Sequence, residues 1–182
     1  MQEFHSPAEY DIAPGETCLT AMIDTARRYP HGVMFTRPAN YEWVSVTSEE
    51  FVAEVYDVAR GLIASGVQPG DRVALISATR YEWSLLDFAI WAAGAVSVPV
   101  YPSSSLSQMQ WIIEDSGAVL AVTETRDHTE LISHLVLRED GTPGLQGSPS
   151  QLRRVLEINS SAIATLKFEG REIDPAEVDA RI

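Results

Sequence analysis

The sequence predicts an α/β fold in which a mostly parallel sheet of about four or five strands is flanked by helices. Three neighbouring segments predict it. Residues 72–77 (RVALIS) form a short apolar run bounded by turn residues, which is typical of a strand buried on both faces. Residues 81–93 are apolar on nearly every side, as in a buried helix, and residues 95–100 (AVSVPV) form a second apolar run. A strand, a short helix and a strand in this order favour a parallel βαβ unit with a right-handed crossover.

The elements before this unit are predicted from spacing and turn residues. Residues 1–16 read as an extended arm with turn signals at its prolines. Residues 19–29 carry apolar side chains at helical spacing and are followed by Pro30, which ends the helix. Residues 33–36 and 41–46 are predicted to be two short strands around a turn.

Capping residues predict where two of the helices begin. Thr47 is followed three residues later by Glu50, the pattern of a capping box, and the helix that it starts is expected to stop at Gly66. Residues 107–116 are predicted to be a helix capped by Ser107. The serines just before it, residues 103–105, are expected to cap a helix rather than to bind an anion, because no positive charge lies nearby in sequence.

The second half of the chain alternates in the same way. The predicted elements are a buried strand at 118–123, a helix at 127–136, a strand at 152–158, a helix at 159–167 and a last helix that begins at Pro175 under an Asp174 cap. The chain is predicted to stop inside that last helix with residues 177–182 exposed, which suggests truncation.

Four segments are expected overall. They are the arm at 1–16, a βαβ-rich subdomain at 17–136, a surface loop at 137–150 and the start of a further segment at 151–182. The loop is rich in glycine and proline, but its glycines match no phosphate-binding pattern.

Composition excludes several classes of function. The net charge of −13 argues against binding to nucleic acid and gives no attraction to anionic lipid. The longest apolar helix has about 13 residues and is too short to span a bilayer, which needs about 20. The one cysteine, Cys18, excludes an internal disulfide and fits a reducing cytoplasm, with peripheral association with a membrane left open. We expect Cys18 to be a small core residue or an incidental thiol.

No group of residues in the sequence forms a complete active site. The histidines are scattered without metal-ligand spacing, and the adjacent carboxylates at 49–50 and 114–115 fall at helix starts or on helix surfaces. The metal and catalytic sites are therefore predicted to be absent. Trp83, Trp91 and Trp111 fall on apolar helix faces and are expected to pack in the core.

Six blocks of residues, in order, resemble the N-terminal region of AMP-forming acyl-CoA synthetases, and bacterial long-chain fatty-acid–CoA ligases in particular. The turn GDRVA and the step AGAVxVP resemble adenylate-forming enzymes in general, whereas TRYEW and WIIEDSGA resemble the long-chain branch. The blocks are 43–47 (WVSVT), 66–74 (GVQPGDRVA), 79–83 (TRYEW), 91–95 (WAAGA), 98–102 (VPVYP) and 113–118 (IEDSGA).

The resemblance implies a ligase that works in two steps. ATP and a fatty acid would give an acyl-adenylate and pyrophosphate, and the thiol of CoA would then give acyl-CoA and AMP, with Mg²⁺ neutralising phosphate charge. A homodimer that uses the N-terminal arm is left open. Two alternatives also remain, namely another adenylate-forming ligase, such as an aryl-CoA or fatty-acyl-AMP ligase, and a non-enzymatic Rossmann-like interaction module.

The family's phosphate loop, of the form YTSGTTGxPKG, is absent from this sequence, and the only lysine, Lys167, does not stand in the family's lysine context. We therefore expect an N-terminal fragment that has no ligase activity by itself and exposes an apolar patch.

The residues that the resemblance carries over are positions that shape the fold: Gly70, Asp71, Arg80, Gly94 and Pro99. Gly70 and Asp71 would set the entry to the first strand of the βαβ unit. Gly94 and Pro99 would shape its helix-to-strand corner, and proline would confine the second strand to an edge or end it there. One ligand contact is implied, between Arg126 and a phosphate of CoA, with a solvated loop arginine as the alternative.

Overall fold

A computed structural model describes Ser6, residues 11–39 and residues 41–182, so residues 1–5 and 7–10 of the expected arm lie outside the described residues. The described residues form seven helices and six strands. Their bounds are α1 Cys18–Arg28, β1 Val33–Ala39, β2 Glu42–Thr47, α2 Ser48–Ala64, β3 Arg72–Ile76, α3 Tyr81–Ala92, β4 Val96–Val100, α4 Leu106–Ser116, β5 Leu120–Thr123, α5 Arg126–Ser133, β6 Arg154–Glu157, α6 Ala162–Gly170 and α7 Pro175–Asp179.

The main sheet is parallel and has the strand order β4-β3-β5-β6. β1 and β2 form a separate antiparallel pair, so the parallel sheet has four strands. The predicted α/β class is confirmed. β4 lies at one edge of this sheet, and Pro99 therefore occupies an edge strand, where its missing N–H costs little.

The alternating side chains of β3 explain why helices cover both faces of the sheet. Val73 and Leu75 belong to the apolar cluster built with α1, α2, α3 and α6, whereas Ala74 and Ile76 belong to the cluster built with α4 and α5. All four side chains are fully buried. The predicted strand buried on both faces is therefore confirmed, and the fold has three layers, with helices on each side of the sheet.

The predicted capping box at the start of α2 is confirmed. The N–H of Glu50 donates to Thr47 Oγ1 at 3.3 Å, and the Glu50 carboxylate accepts from the N–H of Thr47 at 2.8 Å. These hydrogen bonds, that to the backbone of Thr47 first, hold the pKa of Glu50 below its usual value. The helix ends at Ala64, and Gly66 follows with φ of 86°.

The cap of α4 is Ser105, one of the serines at 103–105 that were expected to cap a helix, and the predicted cap at Ser107 is wrong. Ser105 has extended backbone angles, and its hydroxyl accepts from the N–H of Gln108 while the Gln108 side chain accepts from the N–H of Ser105. Ser107 already lies inside the helix. Ser107 also has a glutamine three residues later, Gln110, so this spacing alone does not choose between the two serines.

The last helix differs from its prediction in length and burial. The Asp174 cap is confirmed, since its carboxylate accepts from the N–H of Ala176 at 2.9 Å. However, α7 ends at Asp179, before the last residue, and Val178 is fully buried. Arg181 Nη1 donates to the carbonyl oxygens of Val67 at 2.9 Å and Ala93 at 3.2 Å, so Val178 and Arg181 are packed against the rest of the chain. The other residues of 177–182 are exposed, as predicted.

Two glycines allow α2 and α6 to cross closely. A β-carbon placed on Gly61 would lie 2.2 Å from the carbonyl oxygen of Leu166, and one on Gly170 would lie 2.4 Å from the backbone nitrogen of Gly61. These nearest atoms belong to the backbone, so they cannot avoid an added side chain by a change of rotamer.

Residues 137–150 are mostly exposed but are attached at their end to α4. The hydroxyl of Ser148 donates to the Glu114 carboxylate, and Ser148 and Ser150 are buried. Among the described residues, no helix is long and apolar enough to cross a membrane.

Candidate functional site

The carboxyl ends of the four parallel strands meet at one edge of the sheet, where the loops that follow them gather. In open α/β sheets, ligands bind outside the carboxyl ends of the strands. The loops at this edge begin at Ser77 after β3, Tyr101 after β4, Glu124 after β5 and Ile158 after β6. This edge is therefore the first place to look for a binding site.

A cleft of about 760 Å³ opens at this edge beside β3 and β4. One wall comes from the loop after β3 with the start of α3, and the other comes from the end of β4 and the loop after it. Both apolar side chains and hydroxyl groups line it. The lining residues are Ser77, Ala78, Thr79, Trp83, Pro99, Val100, Tyr101, Pro102 and Ser103.

The point where the strand order reverses lies between β3 and β5, and side chains of the protein fill it. One oxygen of Glu124 accepts from the N–H of Ala78 at 2.9 Å, and the other accepts from Arg80 Nη1 at 3.4 Å. The Arg80 guanidinium also donates to Asn159 Oδ1 at 2.8 Å. Glu124 and Asn159 thus attach the loop after β3 to β5 and to the end of β6, which leaves the cleft beside β4 as the open part of the edge.

The charge of Arg80 is used within this network. Its Nε donates to Glu82 Oε2 at 2.7 Å, and this hydrogen bond raises the pKa of Arg80 further above its usual value. With Glu82, Glu124 and Asn159 as partners, the guanidinium has few N–H groups left for a ligand. The structure thus places Arg80 as a link between loops.

His128 attaches the other wall of the cleft. Its Nε2 lies 3.2 Å from the carbonyl oxygen of Pro102, and its Nδ1 lies 3.1 Å from Thr125 Oγ1. A neutral ring satisfies both contacts when Nε2–H donates to Pro102 and Nδ1 accepts from the hydroxyl of Thr125. The loop after β4 is therefore held by the start of α5.

Arg126 is the first residue of α5 and projects from the same edge of the sheet. Its side chain is 81% exposed, and its Nε donates to Glu130 Oε1 at 2.8 Å. The hydrogen bond to Glu130 raises the pKa of Arg126 above its usual value. The guanidinium is thus charged, accessible and held by one exposed partner.

Three of the remaining family-motif residues lie at the opposite end of β3. The N–H of Gly70 donates to the carbonyl oxygen of Gly94 at 2.8 Å, and both glycines have positive φ, at 82° and 75°. Asp71 Oδ2 accepts from the N–H of Gln68 at 3.0 Å and from Arg153 Nη2 at 3.2 Å. The remaining family-motif residue, Pro99, lines the cleft.

Most of the other candidate side chains are engaged at surfaces. His31 contacts Glu49 at 2.9 Å, and Glu114 accepts from Gln110 and Ser148. Cys18 is exposed at the start of α1, so it is not a core residue. In the described part of the chain, no three histidine, cysteine, aspartate or glutamate side chains lie together as metal ligands.

The three tryptophans on helices do not share one environment. Trp83 and Trp91 are partly buried and pack against the larger apolar cluster, as predicted. Trp111 is 64% exposed, so its predicted place in the core is wrong. The helix α4 is oriented so that Met109 and Ile113 are buried. Trp111 is two positions from each of them and therefore lies on the opposite side of the helix.

Sequence reasoning missed Glu124, Asn159 and His128. The available signal was their position, because each polar side chain follows closely on the carboxyl end of a predicted parallel strand. What the sequence could not supply is the pairing, since Arg80 and Asn159 are 79 residues apart.

Known proteins similar to this chain agree with the fold. The long-chain-fatty-acid–CoA ligases FadD15 of Mycobacterium tuberculosis and Mycobacterium bovis are 38% identical to it over 185 residues, which cover all of this chain and 29% of each ligase. Among solved structures, FadD1 of Archaeoglobus fulgidus, described as a long-chain-fatty-acid-CoA ligase, superposes with a TM-score of 0.69 at 17% identity, over 94% of this chain and 33% of that one. The N-terminal domain of FACL13 from Mycobacterium tuberculosis gives 0.67 at 20% identity, over 86% and 36%.

The two structural matches support the fold, and the sequence matches support the family. The chain spans about 29% of the length of the curated relatives that it matches. The model of the AMP-binding enzyme family matches residues 23–175, which is most of the chain. The chain therefore belongs to the AMP-binding enzyme family, and within that family it is similar to long-chain-fatty-acid–CoA ligases.

Proposed function

We propose that this chain is the N-terminal part of a long-chain fatty-acid–CoA ligase, which joins a fatty acid to CoA through an acyl-adenylate made from ATP. The observation that carries the proposal is the 38% identity to the FadD15 ligases along the whole chain. The relatives that match over only part of the chain include a feruloyl-CoA synthase, at 32% identity over 62% of it. The extent of the match therefore favours a fatty acid over an aromatic acid as the substrate.

Within that reaction, the cleft beside β4 suits the extended arm of CoA. That arm contains both methylene groups and amides, and the cleft offers both apolar surfaces, such as Trp83, Pro99 and Tyr101, and hydroxyls, such as Thr79 and Ser103. CoA supplies the thiol that attacks the acyl-adenylate. The residues of the chain would bind and orient the arm, and its amides would take hydrogen bonds from the hydroxyl groups.

Arg126 would hold a phosphate of CoA at the same edge of the sheet. A guanidinium matches the geometry of a phosphate and binds it by paired N–H groups. The present partner, Glu130, is 64% exposed, and an exposed ion pair of this kind contributes only about 0–1 kcal/mol. A phosphate with two charges can therefore displace Glu130 at little cost.

We also propose that the chain has no ligase activity by itself. The phosphate loop of the family is absent from the sequence, and the only lysine, Lys167, contacts the Glu54 carboxylate at 3.5 Å, away from the cleft. The described residues provide no cluster of metal ligands, so we assign no step of the reaction to Mg²⁺ in this chain. Two further statements remain predictions, namely that the protein lies in the cytoplasm and that it forms a homodimer.

Release of AMP tests this proposal directly. Purified chain would be incubated with ATP, Mg²⁺, CoA and a long-chain fatty acid, in parallel with the product of the same gene read past Ile182. Activity in the longer product alone is the expected result. Turnover by the 182-residue chain would contradict the inactivity of the fragment. Inactivity of both, or a stop codon directly after Ile182, would contradict the ligase and favour the interaction module.

A further inference from the structure

The first turn of α5 carries two side chains that bear on the cleft. Arg126 begins the helix and is exposed, and His128 follows two residues later and is half-buried. Both ring nitrogens of His128 have partners, since Nδ1 lies 3.1 Å from Thr125 Oγ1 and Nε2 lies 3.2 Å from the carbonyl oxygen of Pro102. One helical turn therefore holds both the arginine proposed for the phosphate and a contact to the loop after β4.

The loop after β4, residues 101–104, has few other attachments. The ring of Tyr101 is 81% exposed, so its packing holds the loop only weakly. The hydrogen bond from the N–H of Ser104 to the carbonyl oxygen of Tyr101, 3.0 Å long, stays within the loop. In the part of the chain that the structure describes, the contact between His128 and Pro102 is the only hydrogen bond that joins residues 101–104 to another element.

We propose that His128 is a positioning residue for CoA, which acts through Pro102 and does not itself line the cleft. Tyr101, Pro102 and Ser103 line the part of the cleft that is proposed for the extended arm of CoA. A loop fixed at Pro102 keeps these groups at a constant distance from Arg126, and a site that binds two parts of one ligand depends on such a spacing. The inference rests on the proposed function and adds a residue to it.

The imidazole ring suits this role because both of its nitrogens are used. In the neutral ring, Nε2–H donates to Pro102 and Nδ1 accepts from the hydroxyl of Thr125, so the two contacts fix the plane of the ring. Thr125 is fixed in turn, since its Oγ1 also accepts from the N–H of His128 at 3.4 Å as the cap of α5. The loop is thereby attached to the start of a helix rather than to a freely rotating side chain.

Two amide side chains can separate the two contacts of the ring. Glutamine places an N–H donor as many bonds from the main chain as Nε2, whereas asparagine places an oxygen at the position of Nδ1 and does not reach Pro102. In the longer product of the gene, H128N should raise the KM for CoA about fivefold with kcat little changed, which is roughly the factor that one neutral hydrogen bond contributes. H128Q should stay within about twofold of the unaltered enzyme.

Further measurements separate positioning from general damage to the fold. The KM values for ATP and for the fatty acid should not change in H128N, because the loop after β4 is assigned to CoA alone. H134N removes another imidazole, at the carboxyl end of the same helix, and should leave all three KM values unchanged. In the 182-residue chain, hydrogen exchange followed by NMR needs no activity. The amide of Ser104 should exchange about fivefold faster in H128N and at an unaltered rate in H128Q.

The outcomes distinguish this inference from the proposed function. If the longer product is active, an unaltered KM for CoA in H128N, or an equal rise in H128N and H128Q, would overturn the positioning role and leave the proposed function standing. Unaltered exchange at Ser104 in H128N would also overturn it, because the loop would then not depend on the contact with Pro102. No release of AMP from the longer product with CoA, ATP and a fatty acid would overturn the proposed function and the role of His128 together.

Discussion

Gly61 and Gly170 lie against each other where α2 crosses α6, so closely that a β-carbon on Gly170 would stand 2.4 Å from the backbone nitrogen of Gly61. This contact sets the distance between the two helices. It joins residues that are far apart in sequence, and it packs α6, which follows the last strand of the main sheet, against the helix that precedes the first.

Replacing Gly61 with alanine should destabilise the chain. The added methyl group would lie 2.2 Å from the carbonyl oxygen of Leu166, so the helices would have to separate. We expect the free energy of unfolding to fall by about 3 kcal/mol. The overpacking destabilises the fold by more than the higher helix propensity of alanine stabilises it. Urea unfolding measures it. Ala64→Ser, at an exposed position on the same helix, should change stability by less than about 0.5 kcal/mol, and an equal effect of the two would contradict this account.

Removing the carboxylate of Glu124 should loosen the wall of the cleft. In Glu124→Ala, the N–H of Ala78 loses its acceptor and Arg80 loses one partner. We expect the amide of Ala78 to exchange its hydrogen about tenfold faster, which corresponds to the loss of roughly one hydrogen bond to a charged group. Hydrogen exchange followed by NMR measures it. Glu130→Ala, which removes only the exposed partner of Arg126, should leave that amide unchanged.

The pair of Arg154 and Glu169 should make stability depend on acid pH. Two hydrogen bonds of 2.8 and 2.9 Å from Arg154 lower the pKa of Glu169. A lowered pKa stabilises the fold above the unfolded value of about 4.3, and that contribution is lost as pH falls through the folded pKa. Glu169→Gln should therefore be less stable near pH 7 by about 1 kcal/mol, given the partial exposure of the pair.

The pH course of this difference is the test. In urea unfolding, the gap between Glu169→Gln and the unaltered chain should close as the pH is lowered toward about 3. Glu172→Gln provides the control, because Glu172 is 81% exposed beside Arg171 and should show no gap at either pH. A gap for Glu169→Gln that stays constant with pH would rule out the ionised pair as its source.

The proposed role of Arg126 predicts a specific kinetic change in the longer product of the gene. Arg126→Ala should raise the KM for CoA by about tenfold with kcat little changed. A contact with a phosphate far from the reacting thiol stabilises the ground state and the transition state equally, so its loss affects KM alone. Arg138→Ala removes another exposed arginine, one that contacts the loop carbonyl of Gly144, and should leave the KM unchanged. An unaltered KM for CoA in Arg126→Ala would refute the contact.

Local patterns in the sequence were sufficient for the elements of the fold. The apolar run at 72–77 became β3, and Thr47 with Glu50 capped α2, because strand burial and helix capping depend on neighbours within a few residues. The choice between Ser105 and Ser107 failed for a related reason. Both residues are serines in one hydroxyl-rich run, and each has a glutamine three residues later, so the local pattern does not distinguish Ser105, the actual cap, from Ser107.

The site was less predictable because it is assembled from distant loops. Trp111 is apolar and helical, and its exposure follows from the side of α4 that meets the sheet, which its own neighbours in sequence do not determine. Glu124 and Asn159 are polar residues at strand ends, but their common partner Arg80 is 44 and 79 positions away. Only the strand order β4-β3-β5-β6 brings these positions together.

The two walls of the cleft are anchored from outside it, one by Glu124 and the other by His128. A cavity fixed in this way does not need to be shaped by its occupant. A ligand that enters it loses its own freedom of movement, but the loops around it have little left to lose. Affinity should then depend on how well the ligand fits a space of constant shape, and ligands that require the walls to part should bind poorly.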